Sequence, residues 1–154
     1  MKIGNQMIEA LIYHEKTDKK EALKKAKDIL SIVRMPRIEN IMQKYPHELS
    51  GGMKQRVMIG ISLMCNPSLI IADEPTTALD VTTQKDILNI FNELKLNKNI
   101  TIALISHDIG VIAEVSDDIM VMNEGKLIEK GSCHQILKAP KEEYTKHLLS
   151  CIPD

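Results

Sequence analysis

The chain is poor in aromatic residues and in net charge. Aromatic residues make up 3% of the 154 residues, with one Phe and no Trp. A platform of rings on which nucleic-acid bases stack is therefore not expected. The 20 Lys and Arg residues are balanced by 21 Asp and Glu, so charge gives no reason to expect nucleic-acid binding.

Long apolar runs and metal-type cysteine spacing are also lacking. The longest apolar runs are strand-sized, such as residues 100–105, whereas a membrane span needs about 18 residues. The N-terminal residues are mixed polar ones instead of a signal segment, which predicts a cytoplasmic chain. The three cysteines, Cys65, Cys133 and Cys151, show no metal-ligand spacing, and we expect structural thiols, with Cys65 in an apolar helix.

Apolar periodicity predicts alternating helices and strands. The predicted helices span residues 3–33, 38–44, 51–65, 82–96, 108–115 and 142–150. The predicted strands span residues 69–72, 100–105, 119–122 and 126–130, the first buried and the last two joined as a hairpin. This alternation predicts an α/β fold with a parallel sheet. The lysines near residue 24 fit the solvated face of a helix better than a binding site.

A glycine pair and a carboxylate pair stand out. Ser50 occupies the N-cap position of a predicted helix, and Gly51 and Gly52 let a ligand approach the backbone, where helical N–H groups attract anions such as phosphate. Asp73 and Glu74 close an apolar strand. One such carboxylate can hold Mg²⁺ through water and the other can activate a water for phosphoryl transfer. The alternative is a pair of solvated acids at a loop start.

The order of these parts resembles the ATP-binding subunit of ABC transporters, over nearly the whole chain. The motifs that carry the resemblance are Leu49-Ser50-Gly51-Gly52-Met53, Lys54-Gln55-Arg56, Asp73-Glu74, Ala78-Leu79-Asp80 and His107. Tyr45-Pro46-His47-Glu48, Pro140, Tyr144-Thr145, Leu148-Leu149 and Ile152-Pro153 look like the oligopeptide, dipeptide and nickel importer ATPases. His47 itself is expected to be a packing or surface residue.

The resemblance implies the site roles. Asp73 takes the Mg²⁺ role and Glu74 the general-base role, while His107 contacts the γ-phosphate and the attacking water. Without this context, His107 would be read as an ordinary surface or core histidine.

The same resemblance implies that nucleotide is bound between subunits. Ser50, Gly51, Gly52 and Gln55 belong to the signature that covers the ATP held by a second ATP-binding subunit. Asp80 lies in the loop that crosses that dimer interface. ATP and Mg²⁺ are the implied cofactors.

One motif of the family is missing from this sequence. No segment reads G-x-x-x-x-G-K-[S/T], the P-loop whose backbone and lysine hold the phosphates. The expected fold is therefore a partial P-loop NTPase (RecA-like) core with a parallel sheet plus a helical subdomain. Residues 1–66 are the expected helical signature subdomain and residues 67–154 the C-terminal part of the core. Without a central P-loop strand, we expect exposed apolar edges and weak stability.

Three functions remain open from the sequence. The first is an ATP-hydrolysing subunit of a peptide or nickel importer, peripheral to the cytoplasmic face of the membrane, with permease partners and without nucleic acid. This chain alone is expected to be inactive. The second is a non-catalytic subunit or fragment that lends its signature to an intact ATPase. The third, an ABC-type DNA-repair or translation ATPase, is disfavoured by the balanced charge.

Overall fold

The computed structural model describes residues 1–151 and contains both helices and strands in alternation. The helices are α1 (Ile3–Ala10), α2 (Lys19–Ile32), α3 (Ile38–Gln43), α4 (Gly51–Leu63), α5 (Val81–Lys98), α6 (Ile109–Val115), α7 (Cys133–Lys138) and α8 (Glu143–Ser150). The strands are β1 (Leu69–Asp73), β2 (Thr101–Ile105), β3 (Asp118–Asn123) and β4 (Lys126–Ser132). Most predicted elements are confirmed within a few residues. The tail residues Ile152 and Pro153 lie outside the described part.

The chain divides into two compact units, one comprising Met1–Ala103 and one beginning at Leu104. The predicted subdomain boundary between residues 66 and 67 falls inside the first unit, and it stays a prediction. Among residues 1–151, no helix combines the length and the apolar character needed to cross a bilayer.

The single helix predicted over residues 3–33 is wrong. α1 continues as a π-helical turn over Leu11–Glu15, and the chain then leaves the helix at Lys16, whose φ is 53°. Asp18 starts α2 as its N-cap, because its carboxylate accepts the Lys20 N–H at 2.9 Å. A side chain that satisfies a free helical N–H stabilises a helix start, and this local signal outweighs a continuous apolar period.

Helices supply the core of the first unit. α1 packs against α2, α3 and α4, and α4 packs against α2 and α5. The largest side chains with almost no exposure include Ile3, Met7, Leu11, Leu30, Val33 and Met64. The predicted apolar face of α5 is confirmed as buried at Ile87, Leu88, Ile90, Phe91 and Leu94. The prediction that Cys65 lies in an apolar helix is wrong, since α4 ends at Leu63 and the thiol is exposed.

β1 and β2 are neighbours in a parallel sheet. The prediction that β1 is buried is wrong for one of its faces. Ile70 and Ala72 are buried, whereas Leu69 is 48% and Ile71 67% exposed. Because side chains alternate between the faces of a strand, one face of β1 meets the core and the described residues leave the other uncovered. The expected exposed apolar edges and weak stability stay predictions.

The second unit is built on the predicted hairpin of β3 and β4. The strands pair antiparallel from Asp118 opposite Ser132 to Asn123 opposite Lys126. Glu124 and Gly125 both have positive φ, 48° and 75°, as tight hairpin turns with the right twist require.

Helices cover one part of this hairpin. α7, which the sequence patterns did not predict, packs on both strands, and α8 packs on β4. The buried Glu129 carboxylate accepts the backbone N–H groups of Lys141 and Glu142 at 2.9 and 3.2 Å. A buried carboxylate paired in this way ties β4 to the start of α8.

Candidate functional site

The start of α4 confirms the N-cap predicted at Ser50. Its backbone is extended, with φ −64° and ψ 165°, and its hydroxyl accepts the Met53 N–H at 3.4 Å. Ser50 and Gly51 are exposed. The positive end of the α4 dipole and its first N–H groups therefore face solvent, an arrangement suited to a phosphate oxygen.

The carboxylate pair lies at and just beyond the end of β1. Asp73 is the last residue of the strand and is exposed, and Glu74 follows in a left-handed conformation with φ 47°. The Thr77 hydroxyl donates to Glu74 Oε2 at 2.7 Å. Such a φ is uncommon for a residue with a side chain. The turn thus directs the Glu74 carboxylate differently from the strand residues before it.

Asp80 is the N-cap of α5. Its carboxylate accepts both the Thr83 N–H, at 2.9 Å, and the Thr83 hydroxyl, at 2.7 Å. The hydrogen bond from the Thr83 hydroxyl, followed by that from the Thr83 N–H, holds the pKa of Asp80 below its ordinary value. Asp80 is therefore an anion fixed at the positive end of a helix.

The structure brings the starts of α4 and α5 together. A Cβ built on Gly52 would lie 2.3 Å from Thr83 Cγ2, and one built on Gly51 would lie 3.3 Å from Leu79 Cδ2. A side chain at position 52 would thus overlap Thr83 unless one of the two moved. The residues of the signature and the residues around Asp80, which the sequence placed in one site only by resemblance, are direct neighbours in the first unit.

Sequence reasoning missed two residues of this region. Thr83, three residues after Asp80, donates a hydrogen bond to Asp80, and its Cγ2 occupies the space beside Gly52. The spacing of an acid and a threonine at a helix start could have indicated the cap. Arg56 contacts both Asp86 of α5 and the end of α2, and the sequence offered no signal for these partners.

The remaining predicted residues take separate positions. Gln55 is half-buried on α4.

His107 is exposed and lies between β2 and α6, in the unit that begins at Leu104. Its neighbours form a turn in which Ser106 Oγ accepts the Asp108 N–H at 3.1 Å, and Asp108 caps α6. His47, exposed, stacks on Tyr45 with ring centroids 5.6 Å apart. The roles assigned to Gln55 and His107 stay predictions.

The donor set at Asp73 fits a magnesium ion shared with a nucleotide better than a protein-enclosed metal. Within residues 1–151, no three His, Cys, Asp or Glu side chains converge on a metal-binding arrangement. Mg²⁺ commonly keeps several waters and takes one or two carboxylates together with substrate phosphates. An exposed carboxylate at a strand end meets that requirement.

Comparison with known proteins gives the family. Residues 3–77 match the family described as ABC transporter. The chain is 49% identical over 151 residues to the oligopeptide transport ATP-binding protein AppD of Bacillus subtilis, covering 98% of this chain and 46% of AppD. It is 44% identical over 151 residues to the glutathione import ATP-binding protein GsiA of Escherichia coli K12, covering 98% of this chain and 24% of GsiA. The chain thus spans less than half the length of these relatives.

Solved structures agree on the fold. The dimeric bacterial ABC transporter cassette MJ0796 superposes with a TM-score of 0.74 at 27% identity, covering 86% of this chain and 57% of the cassette. A transporter described as of the metal-chelate ABC type, in an inward-facing conformation, superposes with a TM-score of 0.83, covering 99% of this chain and 59% of its own. At 20% identity, the latter likeness shows the fold alone. The match of residues 3–77 and the 49% identity over 98% of the chain place it in the family of ABC transporter ATPase domains.

Proposed function

We propose that this chain carries part of the ATP-hydrolysing machinery of an ABC importer that takes up peptides. The observation that carries this proposal is the 49% identity to AppD across 98% of the chain, since the matched 151 residues span the region from Ser50 to His107 that holds the predicted site residues. The names of AppD and GsiA favour a peptide-like substrate. Nickel, which the sequence left open, has no comparable support.

In the proposed reaction, Asp73 and Glu74 act at the end of β1. Asp73 would hold Mg²⁺ through water, and the ion would neutralise charge on the phosphates. Glu74 orients the attacking water and accepts its proton, with the Thr77 hydroxyl, 2.7 Å from Oε2, setting the carboxylate's direction. His107 would contact the γ-phosphate.

The signature acts on a nucleotide held by another subunit. Ser50 and Gly51 present the exposed start of α4 to the γ-phosphate, with Gly52 and Gln55 in the same helix. Asp80 lies beside them and contributes to the same subunit interface. The proposed partners are a second ATP-binding subunit and transmembrane permease subunits, with this chain peripheral to the cytoplasmic face of the membrane.

The missing motif limits what this chain does alone. The 154-residue sequence contains no G-x-x-x-x-G-K-[S/T] segment, the loop that holds the phosphates of ATP in proteins of this kind. We therefore expect neither Mg-ATP binding nor phosphate release from this chain by itself. Calorimetry with Mg-ATP tests this, and binding that Asp73→Asn abolishes would contradict it.

A chimera tests the catalytic roles directly. In it, this chain replaces the matching region of AppD, so that the remainder of AppD supplies what is missing. We expect phosphate release that falls at least about 100-fold in Glu74→Gln, the scale of losing a general base. Glu124→Gln is a matched control, because Glu124 also has a positive φ but lies at a hairpin turn. Equal activity of the two variants would contradict the general-base role.

A second candidate is a non-catalytic subunit that lends only its signature. The exposure of Ser50 and Gly51 favours it, because a partner can reach them without rearrangement. An AppD variant whose own signature serine is changed to arginine would then regain phosphate release when this chain is added. Ser50→Arg should abolish that rescue, whereas Glu74→Gln should leave it intact. Failure of the unmodified chain to rescue would exclude this candidate.

A further inference from the structure

Arg56 joins three helices at a largely buried position. It extends from α4, and its side chain is 14% exposed. Its Nη2 donates to Asp86 Oδ2 of α5 at 2.8 Å. Its Nη1 donates to the backbone oxygens of Arg34, at 2.7 Å, and of Val33, at 3.4 Å, where α2 ends.

Each partner suits a guanidinium. The carbonyls that end α2 lack helical N–H donors and carry the negative end of its dipole, so a cation stabilises them. Asp86 supplies the countercharge that a desolvated Arg56 needs. Arginine's planar fork can serve these separate acceptors at once, whereas lysine offers a single ammonium.

The contact of Arg56 with Asp86 continues the contact at the helix starts. Gly52 meets Thr83, and Arg56 meets Asp86. These pairs are four residues apart on α4 and three apart on α5, about one helical turn in each case. The two helices therefore run side by side in the same direction, with Ser50 and Asp80 at the same end.

We propose that Arg56 is a positioning residue that fixes the signature end of α4 against Asp80 at the start of α5. The close fit of Gly52 against Thr83 sets how near the helices come, and the fork of Arg56 prevents α4 from sliding or rotating along α5. The role of this placement in ATP hydrolysis rests on the proposed function. The placement itself is a property of this chain alone.

The placement is tested by the dipolar interaction between two nitroxides in the full 154-residue chain. The labels replace the exposed residues Lys54 and Lys85, near the starts of α4 and α5. The background carries serine at Cys65, Cys133 and Cys151. Packed helices lie about 8–10 Å apart, within range of dipolar broadening. We expect a broadened spectrum in the parent and a measurable change in that broadening in Arg56→Lys and in Asp86→Asn.

A matched control separates positioning from ion pairing in general. Lys27 Nζ lies 2.8 Å from Glu39 Oε1, the same distance as in the Arg56 pair, but these side chains are 44% and 78% exposed. Lys27→Met should leave the spectrum unchanged. If Arg56→Lys and Asp86→Asn lower the urea midpoint but retain the parent spectrum, Arg56 only stabilises the fold and the proposal is overturned.

The chimera with AppD extends the test to function. Arg56→Lys should lower kcat at least about tenfold with little change in KM, since a misplacement near 1 Å can cost more than that. Arg56→Lys with parent kcat would contradict a functional role for the placement. An inactive parent chimera would count against the proposed function and leave the spectral test to decide on Arg56.

Discussion

The helices and the first strand of the same compact unit bury their apolar residues to very different extents. Leu30 of α2 has no exposed surface, whereas Ile71 of β1 is 67% exposed. α1, α2 and α4 cover one another's apolar faces, so this cluster is complete within the chain. β1 pairs with β2. This pairing satisfies backbone groups along one edge of β1 but does not cover the side chains on its outer face.

The difference shows which apolar faces the described residues cover by themselves. A helix meets its packing partners through nearby sequence, and α1, α2 and α4 lie within 63 residues. A strand of a parallel sheet needs cover on both faces, which requires more elements than the described residues provide. The relatives that the chain matches are at least about twice its length, which is consistent with further elements in those proteins.

The largest expected effect comes from opening a cavity in the buried cluster of helices. Leu30→Ala should lower the free energy of unfolding by about 2–5 kcal/mol, because it removes buried methyl groups and leaves a cavity. Ile71→Thr, which keeps a β-branched strand residue, should change it by less than about 0.5 kcal/mol. Urea denaturation followed by circular dichroism measures both. Similar losses would show that the outer face of β1 is covered in solution.

A second prediction concerns the contact between α4 and α5. Gly52→Ala should destabilise the chain by about 1–3 kcal/mol, since its Cβ would overlap Thr83 Cγ2. Alanine otherwise favours a helix over glycine. Thr83→Ser deletes Cγ2 but keeps the hydroxyl that binds Asp80, so Gly52→Ala should become tolerated in that background.

The control for this contact is Gly110→Ala near the start of α6. The nearest atom to its Cβ would be Asp108 Oδ1 at 3.1 Å, the movable end of a side chain, and a smaller loss is expected. If Thr83→Ser does not restore the urea midpoint of Gly52→Ala, the overlap is not the reason for the glycine.

Local signals account for what the sequence predicted well. The cap at Ser50, the apolar face of α5 and the glycine-containing hairpin turn each depend on residues a few positions apart, and all are confirmed. The α/β class followed from the alternation of such segments.

Non-local contacts account for what it missed. The exposed face of β1 depends on which elements are present to cover it, and a buried-looking apolar run carries no such information. The partners of Arg56 lie 22 and 30 residues away in sequence, and the fit of Gly52 to Thr83 depends on how two helices pack. Spacing within a helix cannot reveal any of these.

The smallest expected effect concerns the Asp80 cap and its pH dependence. Because hydrogen bonds to Thr83 lower the pKa of Asp80 in the folded chain, its carboxylate stabilises the fold above the unfolded pKa. That contribution is lost as the pH falls through the lower folded pKa. Asp80→Ala should therefore reduce the urea midpoint fully at pH 7 and pH 5, and less below about pH 4.

Asparagine separates the cap from its charge. Asp80→Asn keeps an oxygen that can accept the Thr83 N–H but does not titrate, and asparagine caps helices about as well as aspartate. The difference in urea midpoint between Asp80→Asn and Asp80→Ala should hence stay constant from pH 7 to pH 3, while that between the parent and Asp80→Ala narrows. If both differences narrow alike, another group causes the acid sensitivity, and the charge of Asp80 does not stabilise the fold.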